Sequence, residues 1–316
     1  MSTPDAPVAR GARRPPPLAR SALDRAAHHR TDPEWLEAAW DRARILVVSD
    51  GRALAAEGRL VLLRSTELPV ASDGALPERM FLGVDADGVP YFAVAQDLPD
   101  VPGAAPVGLR EVGHELSDLD AGLLITAVSL HNWHSRHRYA PGSGAVMEAR
   151  EGGWVRVDPD GTHAWPRTDP AVIVLIHDGD PGPAGRCLLG HNAAWTRPGA
   201  PAGPRRYSCL AGFVEPGESA EQAVVREVAE EVGVAVRELH YEGSQAWPYP
   251  GSLMLGFSAV ADPDAPVRLD PTEIADARWF SRADVRAVLG GATGYDFAVA
   301  PPSSIAHYLI SEWAFA

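Results

Sequence analysis

The stretch GFVEPGESAEQAVVREVAEEVGV, Gly212 to Val234, places six glutamates in twenty-three positions and still carries the marks of an ordered helix. Ser219 followed three residues later by Gln222 is a capping-box pattern that starts the helix, and Gly233 is a ready C-terminal stop. At about 100° per residue, Glu227, Glu230 and Glu231 share one face. Val224, Val225, Val228 and Val232 are expected mostly on the other. A chain with this segment must dock a valine stripe on a core and turn a carboxylate face elsewhere. Carboxylates held so close disfavour one another's ionisation. Taken alone, the face reads either as ordinary solvated charge or as the ligand set of a hard divalent cation, which takes oxygen donors from carboxylates and substrate phosphates.

The rest of the chain narrows the field. Its 316 residues suffice for two domains. A formal net charge of -14 gives no global field that would draw in nucleic acid or an anionic membrane. All 28 basic residues are arginine, which removes a P-loop lysine and a Schiff-base lysine; the bias is also associated with GC-rich bacterial coding. Cys187 and Cys209 are too few for a disulfide framework or a four-thiolate metal site, and fit small buried residues in a reducing cytoplasm. No run reaches the roughly eighteen apolar residues of a membrane span. The opening MSTPDAPVARGARRPPPLARSALDRAAHHR lacks a signal-peptide core, so residues 1–30 are expected to form a disordered tail.

Residues 31–115 read as a small sheet-rich N-terminal domain, with RMFLGVDADGVPYFAVAQD forming two strands around an Asp-Gly turn. Residues 116–167 read as a connecting helix, Leu116 to Arg138 with Ser117 as N-cap, followed by glycine-rich turns between short strands. From 168 to 316, the apolar run AVIVLIHDG predicts a central strand. Strands and helices then alternate, which indicates an α/β or α+β sandwich.

The opening stretch resembles, at every constrained position, the signature of the Nudix hydrolases: Gly212, Glu218, Arg226-Glu227-Val228, Glu230-Glu231 and Gly233-Val234. The resemblance implies a loop-helix-loop on an α/β/α sandwich and Mg²⁺- or Mn²⁺-dependent cleavage of a diphosphate linked to another group. It further implies that Arg226 pairs with a signature glutamate to hold the loop, that Glu218 and Arg226 belong with Glu227, Glu230 and Glu231 to the catalytic set, and that these last three bind metal. Bound cations would reverse the local sign for a polyanionic substrate and activate a water. Glu231 is the expected acceptor of that water's proton.

Downstream, SQAWPYPGSLM resembles the Ser-Gln-Pro-Trp-Pro-Phe-Pro-x-Ser element of the NADH pyrophosphatase branch, with Ala246 and Tyr249 as departures. Prolines at alternate positions suggest a stiff, extended backbone presenting Gln245, Trp247 and Tyr249. The resemblance extends substrate contacts to Phe213, Trp165, Ser252, Met254 and Ala306, and a further metal ligand to Glu273. It implies hydrolysis of NAD(H) to nicotinamide mononucleotide and AMP, removal of NAD caps from RNA, and a homodimer whose pocket borrows an aromatic, Trp247, from the partner. Arg197, Arg205 and Arg206 form a local basic patch for an RNA strand. Family members carry a zinc ribbon after the connecting helix; here its thiolates are replaced by Ala140, Ser143, Asp158 and Gly161, so no structural zinc is expected and packing must hold the turns. The remaining readings are an ADP-ribose or other dinucleotide diphosphatase, and a module that senses nucleotide without cleaving it.

Overall fold

The computed structural model describes residues 14–69, 78–195 and 203–316. Its N-terminal half runs through α1 (Pro33–Trp40), β1 (Arg44–Val48), β2 (Arg52–Ala56), β3 (Arg59–Leu60), β4 (Arg79–Val84), β5 (Pro90–Ala95), β6 (Ala105–Gly108), the short α2 (Leu109–Val112) and α3 (Asp118–Arg136). Strand β5 lies between β1, to which it is parallel, and the antiparallel β4; a second sheet has the order β3-β2-β6. Side chains alternate across a strand. Ile45 and Val47 therefore pack with Trp40 of α1, while Leu46 and Val48 pack with Leu123, Leu124, Ala127 and Val128 of α3. The helix expected as a connection closes one face of the N-terminal sheet. Its start is as expected, with Ser117 accepting a hydrogen bond from the Asp120 amide.

The expected disordered tail is corrected in part. Residues 1–13 lie outside the described residues, but 14–30 are packed onto the fold. Leu18 is buried, its amide donates to Gln245 Oε1 at 3.0 Å, Asp24 bridges to Val84, and the Arg30 guanidinium sits 3.7 Å from the centre of the Trp154 ring. Proline-rich composition suggested disorder, yet prolines also lower the entropy lost on ordering, and a few apolar anchors then suffice.

After α3 come β7 (Glu148–Arg150), β8 (Val155–Val157) and β9 (His163–Ala164), a small antiparallel sheet at the position of the expected ribbon. Where one thiolate pair would stand, Gly144 N donates to Ala140 O at 2.8 Å and Ala145 N to Ser143 Oγ at 3.3 Å. At the other, Asp158 Oδ1 accepts from Thr162 N at 2.7 Å and Asp160 N at 3.0 Å. The buried Arg156 binds Met147 O, His134 Nδ1 and Glu78, and so ties this sheet to α3 and the N-terminal half.

The C-terminal half contains β10 (Asp169–His177), β11 (Arg186–Asn192), β12 (Arg205–Tyr207), β13 (Leu210–Phe213), α4 (Ala220–Val232), β14 (Val236–Trp247), β15 (Ser252–Ala261), β16 (Ile274–Ser281), α5 (Arg282–Leu289), β17 (Phe297–Val299) and α6 (Ile305–Phe315). The main sheet has the order β14-β15-β10-β11-β16, and β13 pairs with the first half of β10 beside β11. From β10, Val172, Val174 and Ile176 pack against Val224, Val228 and Val232 of α4, while Ile173 and Leu175 pack against Ile305, Leu309 and Ile310 of α6. The result is the α/β/α sandwich. Val225 departs from the expected valine stripe: it lies at the flank and is 46% exposed.

Candidate active site

Helix α4 begins with the predicted capping box, Ser219 and Gln222 each bonding the other's backbone, and ends at Gly233 in the left-handed conformation that glycine tolerates best. Both caps set the register of the helix against β13. With the stripe of Val224, Val228 and Val232 facing the core, Glu231 lies about 60° and Glu227 about 100° from the stripe's centre, whereas Glu230 lies about 160° away. Accordingly Glu227 and Glu231 are buried and Glu230 is exposed. The three box carboxylates do not act as one face: geometry separates one from the other two.

Arg226 is the hub that fixes the loop before the helix. Its guanidinium binds both oxygens of Glu218, at 2.7 and 2.8 Å, as well as Glu227 Oε1 at 2.8 Å, Glu230 Oε2 at 3.0 Å and the Phe213 carbonyl at 2.9 Å. Such a bidentate, charge-assisted pair gives direction as well as strength. It holds the Glu218 carboxyl down at about 2. Glu218 in turn accepts from the Glu215 amide at 3.0 Å, which closes the loop on itself.

Glu227, Glu231 and Glu273 converge: each offers an oxygen within 4.8 Å of the others, and among the described residues this is the one such group of metal-ligating side chains. Glu273 arrives from the turn before β16, on which Ala193 N is bonded to its carbonyl. Burial, then the charges of Glu227 and Glu273, push the Glu231 carboxyl up to about 8, opposed by a hydrogen bond from the Ala211 backbone. Burial also raises Glu227 against the pull of Arg226. Glu231 Oε2 is buried with no hydrogen-bond partner. An orphaned carboxylate oxygen in an all-oxygen cluster fits a hard divalent cation.

Beside the cluster lies a cleft of about 390 Å³ lined by Ala171, Gly212, Phe213, Glu227, Ser252, Met254 and Glu273, among others. The ring of Phe213 is 54% exposed there. Glu215, not singled out from the sequence, also lines it; a loop position between the signature's fixed residues offers no periodic signal.

Other expected contacts are placed elsewhere. Gln245 is fully buried and works as a bracket, accepting from Leu18 N and donating to Ser303 O at 3.1 Å. The expected extended presentation ends at Trp247, where Pro248 to Gly251 turn back, and Asn132 of α3 holds the Pro248 carbonyl at 2.6 Å. Tyr249 and Trp247 meet edge to face, half-buried, and pack on the N-terminal core. Trp165 is exposed, stacked loosely on His163, and does not line the glutamate cleft. Ala306 is buried, and its carbonyl lies 3.9 Å from Cys209 Sγ.

A sandwich carrying an arginine-locked loop, a capped helix and a partly buried carboxylate cluster defines the class, and the chain belongs to the Nudix family: a NUDIX domain profile matches residues 167–297. A profile for the NADH pyrophosphatase-like rudimentary NUDIX domain matches residues 42–133, which take in most of α3. Within the family, the chain is 42% identical over 314 residues to the NAD-capped RNA hydrolase NudC of Mycobacterium tuberculosis, with 95% of each chain covered. It is 40% identical over 210 residues to the human NAD-capped RNA hydrolase NUDT12, which covers 63% of this chain and 43% of that one. No described helix is long and apolar enough to cross a membrane.

Proposed function

We propose that the protein hydrolyses the pyrophosphate bond of NAD(H), giving nicotinamide mononucleotide and AMP, and removes NAD caps from RNA 5′ ends by the same chemistry. The observation that carries this reading is the convergence of Glu227, Glu231 and Glu273 at the Phe213 cleft, in a chain with a near full-length relative named for NAD-capped RNA. Glu227, Glu231 and Glu273 would hold Mg²⁺ or Mn²⁺, both of which prefer carboxylate oxygens. When bound, such a cation neutralises phosphoryl oxygens and acidifies water for attack on phosphorus.

The chain's own residues supply the rest. Arg226 keeps Glu218 and the Phe213 carbonyl in place, so the loop reaches the substrate already ordered. Glu231 receives the proton of the attacking water. The exposed face of Phe213 stacks on a flat base, a contact worth about 1–3 kcal/mol, while Ser252 and Met254 shape the cleft wall. Glu230, engaged by Arg226 on the outer face, joins the ligands only when that pair opens. We further propose a bacterial, cytoplasmic homodimer without structural zinc; the exposed Tyr139, Val146 and Trp165 provide apolar surface of the kind a second copy covers.

The test is direct: purified protein is incubated with NADH, NAD⁺ or ADP-ribose and Mg²⁺ or Mn²⁺, and the products are identified by mass. Reduced nicotinamide mononucleotide plus AMP is the expected outcome. Intact NADH alongside cleaved ADP-ribose, or no anhydride cleavage at all, would overturn the reading.

A further inference from the structure

We propose that Asp270, in the loop between β15 and β16, is a positioning residue: its side chain winds the turn that carries Glu273 to Glu227 and Glu231. This deepens the cation reading above and rests on it. Glu227 and Glu231 share α4, so one helix fixes both. Glu273 comes from a separate loop and, unlike its two partners, is exposed, so packing does not place it.

What places it is a run of hydrogen bonds that begins at the end of α4. The last carbonyls of a helix have no partner within it. Here Val232 O accepts from Arg268 N at 2.8 Å, and Glu231 O accepts from Asp270 N at 3.0 Å. Gly233 makes room for this approach, because a β-carbon there would lie 3.0 Å from Arg268 Cβ. The glycine that stops the helix thus also seats the loop. The backbone of one cluster residue, Glu231, is tied directly to that of Asp270.

Asp270 then folds residues 271–274 back on itself. Its Oδ1 accepts from Thr272 N at 2.9 Å and from Thr272 Oγ1 at 2.6 Å, while its carbonyl accepts from Ile274 N at 2.8 Å and Glu273 N at 3.2 Å. Pro271 between them has a fixed φ and no N–H to misdirect. Glu273 is therefore gripped at its amide by Asp270 and at its carbonyl by Ala193 N, the latter at 2.8 Å. Beyond it β16 is anchored at Asp276, which accepts from Tyr207 Oη at 2.5 Å and Arg278 Nε at 2.9 Å. Asp276 also lies 3.5 Å from Arg205 of the expected basic patch, of which Arg197 lies outside the described residues. The side chains that hold the turn itself are those of Asp270 and Thr272. Without that carboxylate the turn opens and Glu273 can swing, and a misplacement of about 1 Å is enough to matter at a reacting centre.

The test compares wild type with Asp270→Ala, Asp270→Asn, Glu273→Gln and the Asp270→Ala/Glu273→Gln double variant. Mn²⁺ affinity is measured by calorimetry without substrate, kcat and KM with NADH, and the position of Glu273 in metal-free crystals. Asp270→Ala is expected to weaken Mn²⁺ binding and lower kcat by about tenfold or more, the effect of removing a ligand's supporting partner, with KM for NADH near wild type. Asp270→Asn, whose Oδ1 still accepts from Thr272, should restore most of both. In the Glu273→Gln background Asp270→Ala should add little, because a residue that acts through another is not additive with it. Wild-type values for Asp270→Ala, no restoration by Asp270→Asn, or the full further loss in the Glu273→Gln background each overturn the proposal. Should Asp270→Ala not fold, Thr272→Val, which keeps the N–H and loses the hydroxyl, takes its place and should show a smaller loss in the same direction. A wild type that binds Mn²⁺ but leaves NADH intact sinks the substrate reading, and the Mn²⁺ affinities then decide the role of Asp270. If wild type binds no Mn²⁺, the cation reading fails and the metal-free crystals decide: Glu273 still beside Glu231 in Asp270→Ala overturns the proposal, and Glu273 displaced there but returned in Asp270→Asn supports it.

Discussion

A β-carbon added to Gly212 would meet the Glu227 carboxylate carbon at 1.9 Å, so the glycine at the head of the signature is the seat of a carboxylate of the Glu227–Glu231–Glu273 cluster. The residue is needed for close approach, and its backbone lies in ordinary extended strand β13. Gly212→Ala must therefore displace Glu227 from Glu231 and Glu273. Displacement of this size costs on the order of 100-fold in turnover. We expect that loss in NADH hydrolysis with an unchanged circular dichroism spectrum; full activity would show that Glu227 is free to move without consequence.

Glu231 makes the metal-free protein pH-sensitive. Its folded-state pKa of about 8 lies above the ordinary 4.5, so its contribution to stability is fully present below pH 4.5 and is lost as pH rises through 8. A tenfold change in proton affinity is worth about 1.4 kcal/mol, and the three carboxylates share the effect. With a chelator present, Tm should fall between pH 5 and pH 8 in wild type and much less in Glu231→Gln. Parallel melting profiles for the two proteins would contradict the assignment. The same variant should lose about 100-fold or more in turnover if Glu231 accepts the proton.

Cation binding must then release protons. Below about pH 8 Glu231 is largely protonated, and a cation requires its charged form. Mn²⁺ titrations by calorimetry, in buffers of different ionisation heat, should show close to one proton released near neutrality and almost none at alkaline pH. Affinity should rise with pH and then level off. A release that does not depend on pH would mean that the cation binds elsewhere.

The helix that presents the box glutamates was legible in the sequence because its spacing is helical and its caps are strong: Ser219, Gln222 and Gly233 set α4 as expected. The division among its glutamates was not. Fixed angular positions placed Glu227, Glu230 and Glu231 together, but only contact with β10 and β13 decides which flank is buried, and that is tertiary information. Val225 was misplaced for the same reason. Gln245 illustrates a different limit. Its hydrogen-bond partners, Leu18 N and Ser303 O, lie far away in sequence and leave no local pattern. The packing of residues 14–30 was invisible because composition reports average tendency, and a single buried Leu18 overrides it.

Arg226 and Glu218 should behave as one unit. Glu218→Gln removes the bidentate acceptor and leaves Glu227 and Glu230 as the carboxylate partners of Arg226, which then competes more strongly with a cation for Glu227. Arg226→Gln frees Glu218 and Glu227 together. Contacting residues are typically coupled by about 0.5–3 kcal/mol, so the double variant should lose little more activity than the worse single one. Mn²⁺ affinity measured alongside turnover separates loop disorder from loss of a ligand. Additive losses would show that the two residues act independently.

The zinc-less sheet gives the last prediction. Arg156 is almost wholly buried, while its partner Glu78 is about half exposed, with the pair at 2.9 Å. Removing Glu78 leaves a buried cation with Met147 O and His134 Nδ1 as its remaining partners. Breaking a fully buried pair costs roughly 3–5 kcal/mol, and the exposure of Glu78 places Glu78→Ala below that range, at about 1–3 kcal/mol. Arg156→Met, which removes the charge along with its partner's role, should cost less than leaving Arg156 unpaired. Urea melts of the two variants order these costs, and elemental analysis of wild type should find no stoichiometric zinc. If Glu78→Ala is neutral, the link between β8 and the N-terminal half is held by Trp154, whose indole donates to Phe81 O at 2.7 Å.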